Sequence, residues 1–392
     1  MTALLAARTP VLAAVLLAAC GGDERPPPAP QAAEGPAPAA PPRASPASAP
    51  AYQTVASGLE VPWDLGFAPD GRIFVTEREG RIRVVENGRL RPEPWAELDV
   101  EAVGEAGLTS IAVAPDFARS GAVYVLGTFR GEGGLENRVV RLVDRGGRGA
   151  DPRVVVGGLP AERVHAGSAL DFGPDGMLYV TTGDARQPPR AQDPRSLAGK
   201  LLRYRPDGSV PPDNPFGGSP VYALGLRNSQ GIDWNEEGEL FAAEHGPSGF
   251  ANEGDREGHD ELNHLRPGGN YGWPEVAGLA GGGRFAAPLA AWTPAVAPAG
   301  LAVYRGDAFP AWRGDAFLGA LRGEQLIRVG LERSGGGWRA SGQEALFLGE
   351  LGRIRAVRMG PDGALYFTTS NRDGRGDPRE GDDRVLRVVP RG

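Results

Sequence analysis

Few groups in this chain can move a proton near neutral pH: four histidines, His165, His245, His259 and His264. Imidazole titrates close to neutrality, so a histidine can act as a base where other side chains cannot. His165 lies in Val164-His165-Ala166-Gly167-Ser168-Ala169-Leu170, just ahead of a strand beginning near Asp171, and is the candidate general base; a plain surface histidine is the alternative. His245-Gly246-Pro247 follows a strand over 240–244, where glycine permits close backbone approach and proline fixes the next turn. Beyond it come Asp255, Glu257, Asp260 and Glu261, then Asn270-Tyr271-Gly272-Trp273-Pro274. Oxygen ligands gathered on loops suit Ca²⁺. Zinc on His259 and His264 is the weaker choice, because no third ligand is evident and no cysteine is available. The middle of the acidic run 253–261 reads as a solvated loop.

Arginine supplies the second signal. Arg227-Asn228 follows Tyr222-Ala223-Leu224-Gly225-Leu226, and Arg322 follows Gly319-Ala320-Leu321. Arg353 and Arg355 alternate, so in a strand they share one face. Converging on one pocket, such arginines would bind a polyanion through forked hydrogen bonds; singly, each reads as a surface charge. Lys200 is the sole lysine, so any catalytic amine must be that residue. No strand-linked G-x-G-x-x-G, no P-loop and no G-x-S-x-G is present, which leaves nicotinamide and ATP chemistry without a home. A net charge of −7 with no basic run argues against nucleic acid as a partner.

The elements that must position these groups announce themselves by repetition. A turn of the Asp-Gly kind precedes an aromatic-bearing strand at Pro69-Asp70-Gly71 with Ile73-Phe74-Val75-Thr76, and at Pro174-Asp175-Gly176 with Leu178-Tyr179-Val180-Thr181. It returns at Glu237-Gly238 with Leu240-Phe241, and at Pro361-Asp362-Gly363 with Leu365-Tyr366-Phe367-Thr368. Pro115-Asp116-Phe117, followed by Val123-Tyr124-Val125, is a looser copy. Spacing of about 50–60 residues is that of a propeller blade. The double gap before the last copy has room for one more blade, with strands near 299–304, 316–321 and 325–329. The expectation is an all-β, six-bladed β-propeller whose chemistry sits on the axis, although five or seven blades also fit the spacing. Trp63, Phe67, Phe74, Tyr179, Phe241 and Tyr366 are expected in the packing between blades. The 60 glycines and 37 prolines among 392 residues suit so many turns.

Ahead of the propeller, Arg8 and the apolar run 11–19 lead to Leu17-Ala18-Ala19-Cys20, which resembles a bacterial lipobox. Residues 1–20 read as a lipoprotein signal peptide, 21–52 as a Pro/Ala-rich tether and 53–392 as the propeller domain. Cys20, the only cysteine, would carry a lipid on the periplasmic side of the bacterial cell envelope. An ordinary signal peptide with a chance cysteine is the alternative.

Further pieces complete a pattern: Pro62-Trp63-Asp64, Gly107-Leu108, His165-Ala166-Gly167, Gly225-Leu226-Arg227-Asn228-Ser229-Gln230-Gly231, Glu244-His245-Gly246-Pro247, Asp260-Glu261-Leu262-Asn263 and Gly268-Gly269-Asn270-Tyr271-Gly272-Trp273-Pro274. Together they resemble the soluble quinoprotein aldose sugar dehydrogenases, the glucose/sorbosone dehydrogenase family, over about 55–390. The resemblance implies pyrroloquinoline quinone (PQQ) and Ca²⁺ at the axis. By matching position, His165 would take the proton of an aldose's anomeric hydroxyl while hydride passes to the quinone, giving a lactone and, in the periplasm, electrons for an acceptor there. Arg227 and Asn228 would contact the quinone, Arg353 and Arg355 its carboxylates, and Arg322 would stand where relatives often carry lysine. Carbonyls of Gly246 and Pro247 would hold Ca²⁺, and Glu261 and the Tyr271 backbone match calcium-ligand positions. The chain departs from the family at Glu105, where a PQQ-contacting Gln is usual. It departs also at Ala166, Ser168, Ala169 and Ala295, and in a longer loop between Pro247 and Asp260. A calcium-dependent lactonase or esterase, or a non-catalytic binding lipoprotein, are the competing readings. The arginines argue against the former, since a neutral lactone has no use for them.

Overall fold

A computed structural model describes residues 49–254, 256–280 and 283–391. The lipobox and most of the tether lie outside them. Six antiparallel sheets follow one another along the chain, each running from an inner strand outwards. Blade I starts at Pro62–Phe67, blade II at Leu108–Val113, blade III at Leu170–Phe172, blade IV at Ser229–Trp234, blade V at Pro298–Val303 and blade VI at Ile354–Met359. The inner strands contact one another in sequence, and blade VI packs against blade I, so the ring is a closed six-bladed β-propeller. Closure joins the two ends of the described chain. Pro50–Ala56 pairs with Val385–Pro390 as the outer strand of blade VI, so residues 50–52, expected in the tether, belong to the fold.

The repeated phrase explains its own recurrence. The turn aspartate caps its loop and catches the aromatic of the following strand: Tyr179 donates to Asp175 at 3.0 Å and Tyr366 to Asp362 at 3.1 Å. The closing threonine reaches the next blade. Thr76 donates to the Thr109 carbonyl at 2.6 Å, Thr181 to Ser229 at 2.8 Å and Thr368 to Pro62 at 3.3 Å. Each bond satisfies a buried hydroxyl while fixing one blade against its neighbour. Trp63, Phe74, Tyr179, Phe241 and Tyr366 are buried, and Phe67 is half-buried. Blade V lacks the phrase because its first connection is packed by aromatics instead, with Phe309 stacked on Trp312 at 3.9 Å.

At one end of the axis Arg358 of blade VI crosses to blade I, donating to Asp64 at 2.9 and 2.7 Å, and to Asp171 of blade III. Burial still pushes the Asp171 carboxyl up to about 6 against the pull of Arg358. The connections entering the inner strands gather at the other end.

Candidate active site

The register of blade III, Leu170 opposite Val180, sets the loop entering its inner strand beside the loop leaving its second strand. His165 lies on the first loop and Asp184 on the second, and Asp184 Oδ1 meets His165 Nδ1 at 3.0 Å. Gly183 permits the approach, since a Cβ there would fall 1.8 Å from the His165 carbonyl oxygen. His165 itself has φ +56°, a left-handed conformation that a non-glycine residue seldom takes. The second Asp184 oxygen accepts from the Trp273 indole at 2.8 Å. Asp184 so placed accepts a hydrogen bond from Nδ1–H and leaves the Nε2 lone pair free to accept another.

Nε2 faces Arg227, whose Nη2 donates to it at 2.8 Å. The same guanidinium donates from Nε to Glu253 at 2.7 Å and from Nη2 to Ser248 at 2.8 Å. Blade IV repeats the hairpin logic: Ser229 pairs with Glu244, whose carboxylate accepts from the backbone N–H groups of Arg227 and Asn228. The Asn228 side chain receives the Gly167 N–H at 3.1 Å and donates to Glu105 at 3.4 Å.

Beside this cluster opens a cavity of about 370 Å³. Its wall carries four guanidinium groups, those of Arg322, Arg353, Arg355 and Arg375, together with Glu105 and His245. Arg353 and Arg355 point to the same side, as their alternation requires, and both bond Asp373, at 2.9 and 3.0 Å. Arg355 lies 3.8 Å above the Trp63 ring, and burial lowers it to about 10. Arg322 is exposed and pairs with Glu257 at 3.3 Å. Glu105 is neither turned away nor neutral. It accepts the His165 N–H at 3.2 Å and pairs with Arg375 at 3.3 Å. Burial raises its carboxyl, but His245, His165 and Arg375 outweigh that and hold it below the usual range. His165 and Arg227 do not line the cavity; they stand behind its wall, covered by a strap that places Ser248, Phe250 and Glu253 against them.

The candidate calcium ligands also gather. Gly246, Pro247, Glu261, Tyr271 and Glu244 line one small space, together with Arg227 and Trp273. Glu244 and Glu261 are cross-strand partners, and burial lifts their carboxyls to about 8 and about 7. Gly246 is required there, because a Cβ would fall 2.1 Å from the Gly258 carbonyl. The Tyr271 hydroxyl is spent on the His264 carbonyl at 2.7 Å, which leaves its backbone as the only part free to ligate.

Several expectations fail or were incomplete. His259 bonds Thr293 and His264 faces Glu239, so they form no zinc pair. Lys200 lies away from the cavity, its ammonium donating to the carbonyls of Arg190, Ala191 and Ala198. Glu253, at the start of the acidic run and assigned no role from sequence, is buried at 2 % exposure because Arg227 draws it inwards. Asp184, Asp373 and Arg375 were not singled out from sequence. Among the described residues His165, Asp184 and Glu253 offer donor atoms within 4.8 Å of one another, but the Arg227 guanidinium already lies between His165 and Glu253 as their cation.

Residues 59–379 match the family described as Glucose / Sorbosone dehydrogenase. Aldose sugar dehydrogenase YliI of Escherichia coli K12 is 32% identical over 359 residues, 85% of this chain and 91% of that protein. A solved structure of a glucose dehydrogenase-like oxidoreductase from Thermus thermophilus is 48% identical with a TM-score of 0.80, covering 87% of this chain and 100% of that one. The PQQ-bound aldose sugar dehydrogenase of Streptomyces coelicolor is 38% identical with a TM-score of 0.76, covering 88% of this chain and 99% of that one.

Proposed function

Since the chain belongs to the glucose/sorbosone dehydrogenase family, we propose that it oxidises the anomeric hydroxyl of an aldose to a lactone, with PQQ and Ca²⁺ as its cofactors. One observation carries the reading: an imidazole backed by a buried carboxylate stands just behind the wall of a cavity that carries four guanidinium groups. The residues present fit both groups. The cavity is of small-molecule size, and its arginines match a planar tricarboxylate. Buried polar atoms at its margin, Gln230 Oε1 and His245 Nε2, make no hydrogen bond. Two adjoining buried carboxyls whose proton affinity is raised, beside loop carbonyls, make a donor set that a hard cation would satisfy.

When bound, PQQ supplies a two-electron acceptor for the hydride of the anomeric carbon. The rest is work for the chain. Arg322, Arg353, Arg355 and Arg375 would hold the cofactor's carboxylates, and Trp63 and Asp373 keep Arg355 aimed. Gly246, Pro247, Glu261 and the Tyr271 carbonyl would hold Ca²⁺. His165 takes the hydroxyl proton at Nε2, where the sugar hydroxyl replaces Arg227 Nη2 as donor. Asp184 stabilises the imidazolium that forms, as a buried carboxylate does for a catalytic histidine. Arg227 and Asn228 place N–H donors where negative charge develops. Lipid attachment at Cys20 and electron delivery to a periplasmic acceptor complete the proposal.

The test is reconstitution with PQQ and Ca²⁺, followed by dye reduction across an aldose panel. Wild type should reduce dye, and His165→Ala should lose turnover while still titrating with PQQ. A protein that neither binds PQQ at high micromolar concentration nor reduces dye ends this reading.

A further inference from the structure

Residues 248–253 of the loop that follows Pro247 reach back over the candidate base, Phe250 lying 5.9 Å from the His165 ring and Ser248 accepting from Arg227. Glu253, the last of these residues, is buried with both oxygens engaged. Oε1 receives Arg227 Nε at 2.7 Å, and Oε2 receives the N–H groups of Ser248 at 2.8 Å and Phe250 at 3.4 Å. One carboxylate therefore folds the strap and seats the arginine. Arg227 in turn donates to His165 Nε2 at 2.8 Å. A lone guanidinium at that distance opposes protonation of the imidazole, because like charges in a buried site repel strongly. Glu253 stands on the other side of the same guanidinium and offsets its charge.

We propose that Glu253 is a positioning residue for His165: from the strap it fixes Arg227 against the imidazole, and its negative charge sustains the basicity of that ring. The proposal rests on reading His165 as the base. The charged and titratable groups facing His165 are Asp184 from its own blade, Arg227 and His245 from blade IV, Glu105 from the entry to blade II and Glu253 from the strap. Arg186 lies behind Phe250, its guanidinium 4.9 Å from the ring. Asp184 holds the far nitrogen, so Glu253 is the carboxylate that compensates the charge on the reacting one.

The experiment follows the four histidine rings by NMR in the cofactor-free protein, with His165 assigned through His165→Asn. Glu253→Gln keeps an acceptor for the strap N–H groups and removes the charge; Glu253→Asp keeps the charge. In Glu253→Gln the His165 titration should move down by about one pH unit or more, and Glu253→Asp should stay near wild type. In the reconstituted enzyme the acidic limb of the kcat/KM profile should move down with it, kcat should fall, and KM should change less than about threefold. A Glu253→Gln titration superimposable on wild type overturns the proposal, including the case where Glu253→Ala loses stability alone. If wild type oxidises no aldose, the enzymatic reading fails while the NMR shift still stands or falls by itself.

Discussion

Glu105 puts a carboxylate into the wall of a cavity proposed to take a tricarboxylate, so Glu105→Gln tests the electrostatics directly. Glutamine keeps an oxygen for the His165 N–H, which Glu105 holds at 3.2 Å, and for Asn228 at 3.4 Å. It removes one negative charge and releases Arg375, now paired at 3.3 Å. A carboxylate about 8 Å from a ligand charge repels it by about 2 kcal/mol at an effective dielectric of 20. Arg375 stays in place in the variant, so the whole of that repulsion, about 2 kcal/mol or about 30-fold in Kd, should be recovered. The assay is a fluorescence titration with PQQ at low and high salt, reporting through Trp63 beneath Arg355. Glu105→Gln should bind more tightly, and its affinity should fall more steeply with salt. Equal or weaker binding at low salt would refute the view that the cavity selects its ligand by charge.

Other substitutions probe the frame and the metal. Arg358→Met strips the axial partner from Asp64 and Asp171 and should cost about 3–5 kcal/mol in urea unfolding; a loss below about 1 kcal/mol would show that the axial pairs are dispensable. Adding Ca²⁺ at about 100 times its Kd should stabilise the protein by about 3 kcal/mol. Chelation should reverse this, Glu261→Gln should abolish it, and a variant that keeps the full increment would remove Glu261 from the ligand set. Burial lowers Lys200 to about 8 from 10.5. Between those values the unfolded chain binds a proton that the folded one has released, so wild-type stability rises relative to Lys200→Met as pH climbs from 8 towards 10.5. The gain should reach about 2–3 kcal/mol in unfolding series across that window. A constant difference would mean that the ammonium keeps its charge beneath its three carbonyls.

The fold was legible because the repeated phrase encodes the blade twice over. Its Asp and aromatic build the turn, and its Thr ties the blade to the next. Blade V was recovered from its apolar strands alone, since Tyr304, Phe309 and Trp312 pack where the phrase would stand. The strap was not legible. Nothing within the acidic, glycine-bearing run marks Glu253 out until Arg227, 26 residues away, supplies it with a buried charge. Arg375 was missed for a similar reason: its partner Glu105 is 270 residues distant, and only ring closure brings blade VI beside the loop entering blade II.

Asp184 and Asp373 were missed for a different reason, one that hairpin geometry could have removed. In an antiparallel blade, the residue entering the inner strand must lie beside the residue leaving the second strand. Leu170 opposite Val180 places His165 by Asp184. Ile354 opposite Thr369 places Arg353 by Asp373, and Ser229 opposite Glu244 places Arg227 by Glu244. His165 and Arg353 are thus supplied with a carboxylate by their own hairpins, whereas Glu244 holds only the backbone of Arg227, whose guanidinium takes Glu253 from the following loop. That local pairing has an energetic consequence. Fixed partners let the arginines and the imidazole enter the buried hub already hydrogen-bonded, which limits the desolvation cost of bringing several like charges together. Ring closure then selects which of these pairs confront one another, and only at that stage does Glu105 meet Arg375, whereas Glu253 reaches Arg227 from the loop after the second strand of the same blade. Disturbing a hairpin pair such as His165–Asp184 should therefore misorient one group, whereas disturbing Glu253 or Arg375 should change the charge felt by a group that remains in position.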